Sequence, residues 1–265
     1  LREVFFMSTK ERFEGEIRRG WIWAAMFLVL ALTAIFFFES VAYGFGSRLL
    51  PIYSVETPER KIAVTFNCAW SADDIPDILA TLEQHGAKAT FFLVGSWAEE
   101  NPDAVKLIAA AGHEIGTHSN THPDMAVISK KEIVAELRRS AERIAAAGGG
   151  TPALFRAPSG SYNNTLIETA AEEGFTTIQW DVDSRDWKKP DPAEMVTKVT
   201  ENVQCGSIVL FHSGAEPTPA ALPQILDILS QQGYEFVTVS ELIYKENYTI
   251  NNDGRQIPLA AAGQK

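Results

Sequence analysis

The amino-acid sequence predicts an α/β protein, a distorted (β/α)7 barrel behind an N-terminal transmembrane helix, with an open doubly wound sheet as the alternative architecture. Three observations carry this prediction. Between Lys61 and Tyr244, seven short apolar runs alternate with helical stretches, as parallel βα units do. The chemistry-bearing polar residues follow the ends of those runs, where sheets of this kind carry function. An uncharged run of eighteen residues, 21–38, interrupted only by Thr33, comes before them all.

Residues 1–20 read as a cytoplasmic N-terminus and 21–43 as a membrane anchor, since roughly 20 apolar residues cross a bilayer core. Lys10, Arg12, Arg18 and Arg19 precede the run, whereas the twenty residues after it contain only Arg48. The positive-inside bias therefore predicts a single-pass cell-membrane protein, N-terminus in and the rest outside. A signal peptide cleaved near Ser40-Val41-Ala42, leaving a secreted domain, is the alternative. Against it, the apolar run exceeds the about 7 to 15 residues of a signal-peptide core.

Residues 44–60, with Gly44, Gly46, Pro51 and Pro58, read as a linker. Within the domain, 61–245, strands are expected over 62–66, 89–94, 113–116, 154–156, 176–180, 207–211 and 235–239. Helices are expected over 75–85, 102–111, 130–147, 166–173, 192–203 and 221–232. Residues 246–265 read as a polar, weakly ordered tail.

Composition narrows the partners. A chain of 265 residues that is 46% hydrophobic can bury a sizeable core. Its net charge of −11 argues against a nucleic-acid partner, which would need a basic face. Cys68 and Cys205 are too few for a disulfide framework and too far apart for a CxxC site. Five histidines occur, and two of them, His118 and His122, flank a turn that Pro123 forces open. Two neutral imidazoles four positions apart can chelate one borderline cation such as zinc, or can simply face solvent. Five loops contribute to the same expected edge: Asn67 follows the first run, His118 and His122 follow the third, Arg156 ends the fourth, Asp181 to Asp186 follow the fifth and His212 follows the sixth.

Over 61–244 the chain resembles the NodB-type polysaccharide deacetylases, the family-four carbohydrate esterases. His118-Ser119-Asn120-Thr121-His122 is similar to the family's His-(Ser/Thr)-x-x-His metal motif, and Arg156-Ala157-Pro158-Ser159-Gly160 to its Arg-x-Pro-x-Gly loop. Asp183-Ser184-Arg185-Asp186-Trp187 is similar to its Asp-x-x-Asp-Trp segment, and Leu210-Phe211-His212 to its Leu-x-His ending. Among family members the chain looks nearest to membrane-anchored or secreted peptidoglycan deacetylases of spore-forming Gram-positive bacteria.

The resemblance implies hydrolysis of an N-acetyl group on a glucosamine-type sugar of peptidoglycan or a related glycan, assisted by a divalent metal, with zinc the first choice. In those terms His118, His122 and Cys68 are metal ligands, His212 is the general acid with Asp186 favouring its imidazolium, and Arg156 holds the base in place. Trp187, Ser159 and Gly160 would contact substrate. The chain departs from the family at the first motif, where Thr65-Phe66-Asn67-Cys68 stands in place of Thr-Phe-Asp-Asp. An amide cannot accept the proton at neutral pH. Cys68 is either a thiolate ligand or a small buried hydrophobe. Asp73 and Asp74 are either substitutes for the lost carboxylates or residues at the start of the next helix. A glycan-binding protein with impaired catalysis is therefore the alternative to a slow deacetylase.

Overall fold

The computed structural model describes residues 18, 21–33 and 48–259. Two compact units divide the chain, residues 1–48 and 49–265. In the first, residues 21–33 form helix α1, with exposed apolar side chains. Among the described residues no helix is long and apolar enough to cross a membrane. The remainder of the expected anchor, 34–43, lies outside the described residues.

The second unit runs β1 (Ser54–Val55), β2 (Lys61–Cys68), α2 (Ile75–Gln84), β3 (Ala89–Leu93), α3 (Gly95–Glu100), α4 (Pro102–Ala110), β4 (Glu114–Thr117) and α5 (Lys130–Ala146). It continues with β5 (Leu154–Phe155), α6 (Asn164–Glu172), β6 (Thr176–Thr177), β7 (Val182–Asp183), α7 (Pro192–Asn202), β8 (Ile208–His212), α8 (Pro217–Gln231), β9 (Glu235–Phe236), α9 (Val239–Leu242), β10 (Tyr248–Ile250) and β11 (Arg255–Pro258). All seven expected strands and all six expected helices of the domain are present.

The main sheet is parallel, in the order β6-β5-β4-β3-β2-β8-β7, with β9 added beside β2. Its curl has an identifiable cause. The single extended run 176–183 pairs with β5 as β6, and five residues on, without an intervening helix, pairs with β8 at the opposite edge as β7. Between the two pairings, the amides of Ile178 and Asp181 donate to Phe155 O and Ile208 O at 2.8 and 3.2 Å. The sheet is thus drawn round into a half-barrel, and among the described residues no ladder joins β6 to β7 directly.

An aromatic stack joins the three central strands. Phe66, Phe91 and Phe211 are in register on β2, β3 and β8, and their rings stack at 4.9 and 5.6 Å. Such pairs add roughly 0.5–1.5 kcal/mol each beyond area burial. Helix α5 starts at a capping box made by Ser129 and Glu132, and it buries Ile133, Leu137, Ser140 and Ile144, which recur at helical spacing. Helix α8 begins four residues before the expected start, because Pro217 and Pro219 fit a first turn, where a missing N–H costs nothing.

The expected tail behaves differently from its composition. Residues 248–258 form β10 and β11, an antiparallel pair, and β11 pairs parallel with β1 from the expected linker. Gln256 is buried, and its side chain bonds both the N–H and the C=O of Tyr244 at 2.7 Å. Long-range backbone pairing thus orders a polar segment that has little apolar surface of its own.

Candidate active site

At the carboxyl edge of the sheet lies a cavity of about 430 Å3, lined by Asn67, Ala69, Trp70, His118, His122, Ser159, Trp180, Asp183, Trp187, Leu210 and His212. Strand register explains the assembly. Asn67 is the direct neighbour of His212 across β2 and β8, and His118 and Arg156 each follow the last residue of an adjacent pair, Thr117 and Phe155.

His118 is buried, and its Nδ1 donates to the carbonyl oxygen of Arg156 at 2.8 Å. That acceptor fixes the tautomer and leaves Nε2 with a free lone pair, the form a metal ligand requires. His122 lies edge-on to it, with ring centroids 4.9 Å apart. Burial, reinforced by His122, pushes His118 well below the usual histidine range, and burial also lowers His122. The turn between them is held in shape by Glu136 of α5, which accepts from the amides of Asn120 and Thr121 at 2.8 Å and from the Thr121 hydroxyl at 2.9 Å. Ser119 and His122 both adopt left-handed φ, at 69° and 59°, and the Ser119 hydroxyl accepts from the His122 amide.

Asp186 is buried beneath His212 and acts as a hub. It accepts from His212 Nδ1 at 2.7 Å, the His212 amide at 2.6 Å, the Thr218 hydroxyl at 2.8 Å and the Trp187 amide at 2.8 Å. His212 is thereby held with Nε2 as its free nitrogen. Trp187 forms part of the cavity wall and is half exposed. Ser159 lines the cavity at φ 55°, whereas Gly160 stands behind it, where a Cβ would meet Trp180 at 3.1 Å.

Arg156 is fully buried and does not reach the cavity itself. Its Nη1 donates to Thr65 Oγ1 at 2.9 Å and Asn67 Oδ1 at 3.1 Å, and its Nη2 to Gln179 O at 3.0 Å. The guanidinium lies 4.0 Å over the Phe92 ring. Every acceptor is neutral, and among the described residues no carboxylate pairs with it. Burial pulls Arg156 down to about 9, which leaves it cationic at neutral pH.

The sequence-based ligand assignment of Cys68 does not fit this geometry. Strand β2 continues through Cys68, so side chains alternate to its end. Thr65 and Asn67 face Arg156, while Ile62, Val64, Phe66 and Cys68 point into the helix-covered core. Burial pushes the Cys68 thiol up to about 12, so it is not a thiolate at neutral pH. The alternatives fare no better as cavity groups. Asp73 accepts from the Ser71 hydroxyl at 2.6 Å, and Asp74 from the Gly214 amide at 2.7 Å. Among the described residues, no group of three His, Cys, Asp or Glu could hold a metal ion. The donor set therefore stops at two imidazoles, one short of the three protein ligands of a catalytic zinc site.

Sequence reasoning missed Thr65 and Gln179, which hold the guanidinium, and Trp180, which lines the cavity. A signal existed for two of them: Thr65 is two residues before Asn67 on the same strand face, and Trp180 ends an expected strand.

Comparison with known proteins bears on the whole arrangement. A family model described as polysaccharide deacetylase matches residues 54–178. A peptidoglycan-N-acetylglucosamine deacetylase of Bacillus cereus is 37% identical over 196 residues, 72% of this chain and 92% of that protein. The uncharacterized protein YlxY of Bacillus subtilis is 37% identical over 193 residues, 73% of this chain and 60% of that protein, so the chain spans less than two thirds of its length. Among solved structures, a CE4 family pseudoenzyme from Bacillus anthracis is 35% identical with a TM-score of 0.71, covering 78% of this chain and 72% of that one. By fold, motif order and these similarities, the chain belongs to the polysaccharide deacetylase family.

Proposed function

We propose that the cavity binds an N-acetylated glucosamine residue of cell-wall glycan, peptidoglycan being the first candidate, and that it hydrolyses the N-acetyl group slowly. The observation that carries this reading is the pairing of a complete cavity with an incomplete first motif. His118, His122, Ser159, Trp187 and His212 surround one space, yet the residue opposite the buried Arg156 is an amide. A general base contributes roughly 10²- to 10⁴-fold, so its loss slows hydrolysis without removing the walls that recognise a sugar. His212, held by Asp186, is the residue with a free ring nitrogen suited to deliver a proton to a leaving amine. His118 and His122 would be the donors toward a divalent ion, one protein ligand short of a catalytic zinc site.

A second reading is recognition with no turnover, and the missing third donor favours it. Acetate release from purified peptidoglycan by residues 49–259, measured together with binding to the same glycan, separates the two. Slow release supports the first reading and binding without release the second. Neither binding nor release would overturn both.

On its sequence alone, the domain is placed outside the cytoplasmic membrane, either anchored by residues 21–43 or secreted after cleavage. A reporter active only outside the membrane, fused after Tyr244, should be active, and activity of a cytosolic reporter instead would reject that placement.

A further inference from the structure

Trp70 is the one large apolar residue of the β2–α2 loop, two residues beyond the end of β2. Its indole lies face to face on the imidazole of His212, with ring centroids 5.1 Å apart and planes 20° apart. It lines the cavity and remains 50% exposed. One face is therefore packed on His212 and the other is open. An aromatic ring left half exposed costs hydration free energy, which contact with the apolar C–H face of a sugar would recover.

The loop beneath Trp70 is built rigidly. Asp74 Oδ2 accepts from the Gly214 amide at 2.7 Å, which ties the start of α2 to the segment just after His212. Gly214 has φ 77°, and a Cβ there would meet the Ser71 amide nitrogen at 2.7 Å and Trp70 Cβ at 3.1 Å. Only a glycine lets the two loops lie this close. Ser71 is bonded in turn to Asp73 at 2.6 Å. The indole is thus oriented before any ligand arrives, which spares the cost of ordering a side chain on binding. Across the same cavity Trp187 is also half exposed.

We propose that Trp70 is a carbohydrate-stacking residue of this cavity, its outer face taking the apolar face of a pyranose ring while His212 supports its inner face. This rests on the reading of the cavity as an N-acetylated glycan site, and it adds a residue that sets affinity and orientation there. Trp70 acts through binding, so its removal affects recognition of glycan whether or not hydrolysis follows.

The test is calorimetric titration of the purified domain with a soluble N-acetylglucosamine tetramer, for the wild type, Trp70→Ala and Trp70→Phe. Circular dichroism and the melting temperature of each variant confirm folding, which a half-exposed side chain should not disturb. The expected result is a wild type that binds, a Trp70→Ala variant at least fivefold weaker, and a Trp70→Phe variant that recovers most of the loss because it keeps an aromatic face. Tryptophan fluorescence of the wild type should change on titration, with the change reduced in Trp70→Phe. If the wild type binds and Trp70→Ala binds equally well, the stacking role is wrong and the glycan reading stands. If the wild type does not bind the tetramer, both fall.

Discussion

Arg156 donates to Asn67 across 3.1 Å, so a fully buried guanidinium faces an amide oxygen, and among the described residues no carboxylate balances its charge. A buried charge without a counter-charge is costly unless hydrogen bonds offset it. Here three neutral oxygens and the face of Phe92 do so in part, while Arg156 Nε is buried without a hydrogen-bond partner among the described residues.

Asn67→Asp should change both chemistry and stability. The carboxylate is nearly isosteric, lies beside Arg156, and can accept a proton from water. Acetate release from N-acetylated glycan is expected to rise toward the roughly 10²- to 10⁴-fold that a general base contributes. The thermal midpoint at pH 7 should rise as well, because a charge-assisted pair replaces a neutral bond. An unchanged rate, with the midpoint raised, would place the missing function in metal binding instead.

Zinc titrations of single variants check which donors matter. His118→Ala and His122→Ala should each abolish what zinc affinity the chain has, since two imidazoles are its donors. Cys68→Ser should leave that affinity unaltered, because Sγ is on the opposite face of β2. It should lower stability by about 1–3 kcal/mol, the usual cost of placing a hydroxyl among buried apolar side chains. A large loss of zinc affinity in Cys68→Ser would refute this placement of the side chain.

Thiol labelling gives an independent check on the same residue. Burial holds Cys68 near 12, whereas Cys205 is half-buried. The thiolate is the reactive form, so native protein at pH 8 should take up one equivalent of a thiol reagent and denatured protein two.

Asp186→Asn removes a carboxylate that receives four hydrogen bonds. An amide offers one acceptor oxygen and an NH2 that meets donors, so at least one donor is left unmatched. Melting should show a loss of about 2 kcal/mol or more. Any acetate release should fall too, because a neutral amide replaces the charged partner of His212 Nδ1.

Stability should also decline in mild acid. The amide of Ala89 donates to His113 Nδ1 at 3.3 Å, and burial, with Lys88 adding, lowers His113 to about 4. The unfolded chain takes up this proton near 6.5 and the folded chain near 4. The contribution of neutral His113 is therefore fully present above about 6.5 and is lost as pH falls from there toward 4. His118 and His122 are lowered as well and act in the same direction. Urea midpoints at pH 7.5 and pH 5 should differ less in His113→Gln than in the wild type.

Periodicity in the sequence was enough to locate the alternating strands and helices, because apolar spacing and turn residues act locally and each βα unit repeats them. It also located the edge where His118, Arg156 and His212 gather, since the polar residues sit just past each apolar run. Facing was another matter. The strand expected from the sequence stops at Phe66 with Asn67 just beyond it, yet β2 continues through Cys68, and two more residues of pleat send Asn67 to Arg156 and Cys68 into the core. The split of run 176–183 between the two edges of the sheet depends on partners at Phe155 and Ile208, far away in sequence. The pairing of β11 with β1 likewise requires residues about two hundred positions apart to meet. Strand propensity and motif order are properties of neighbouring residues, whereas register, facing and the counter-charge of a buried arginine are set by what the folded chain brings alongside.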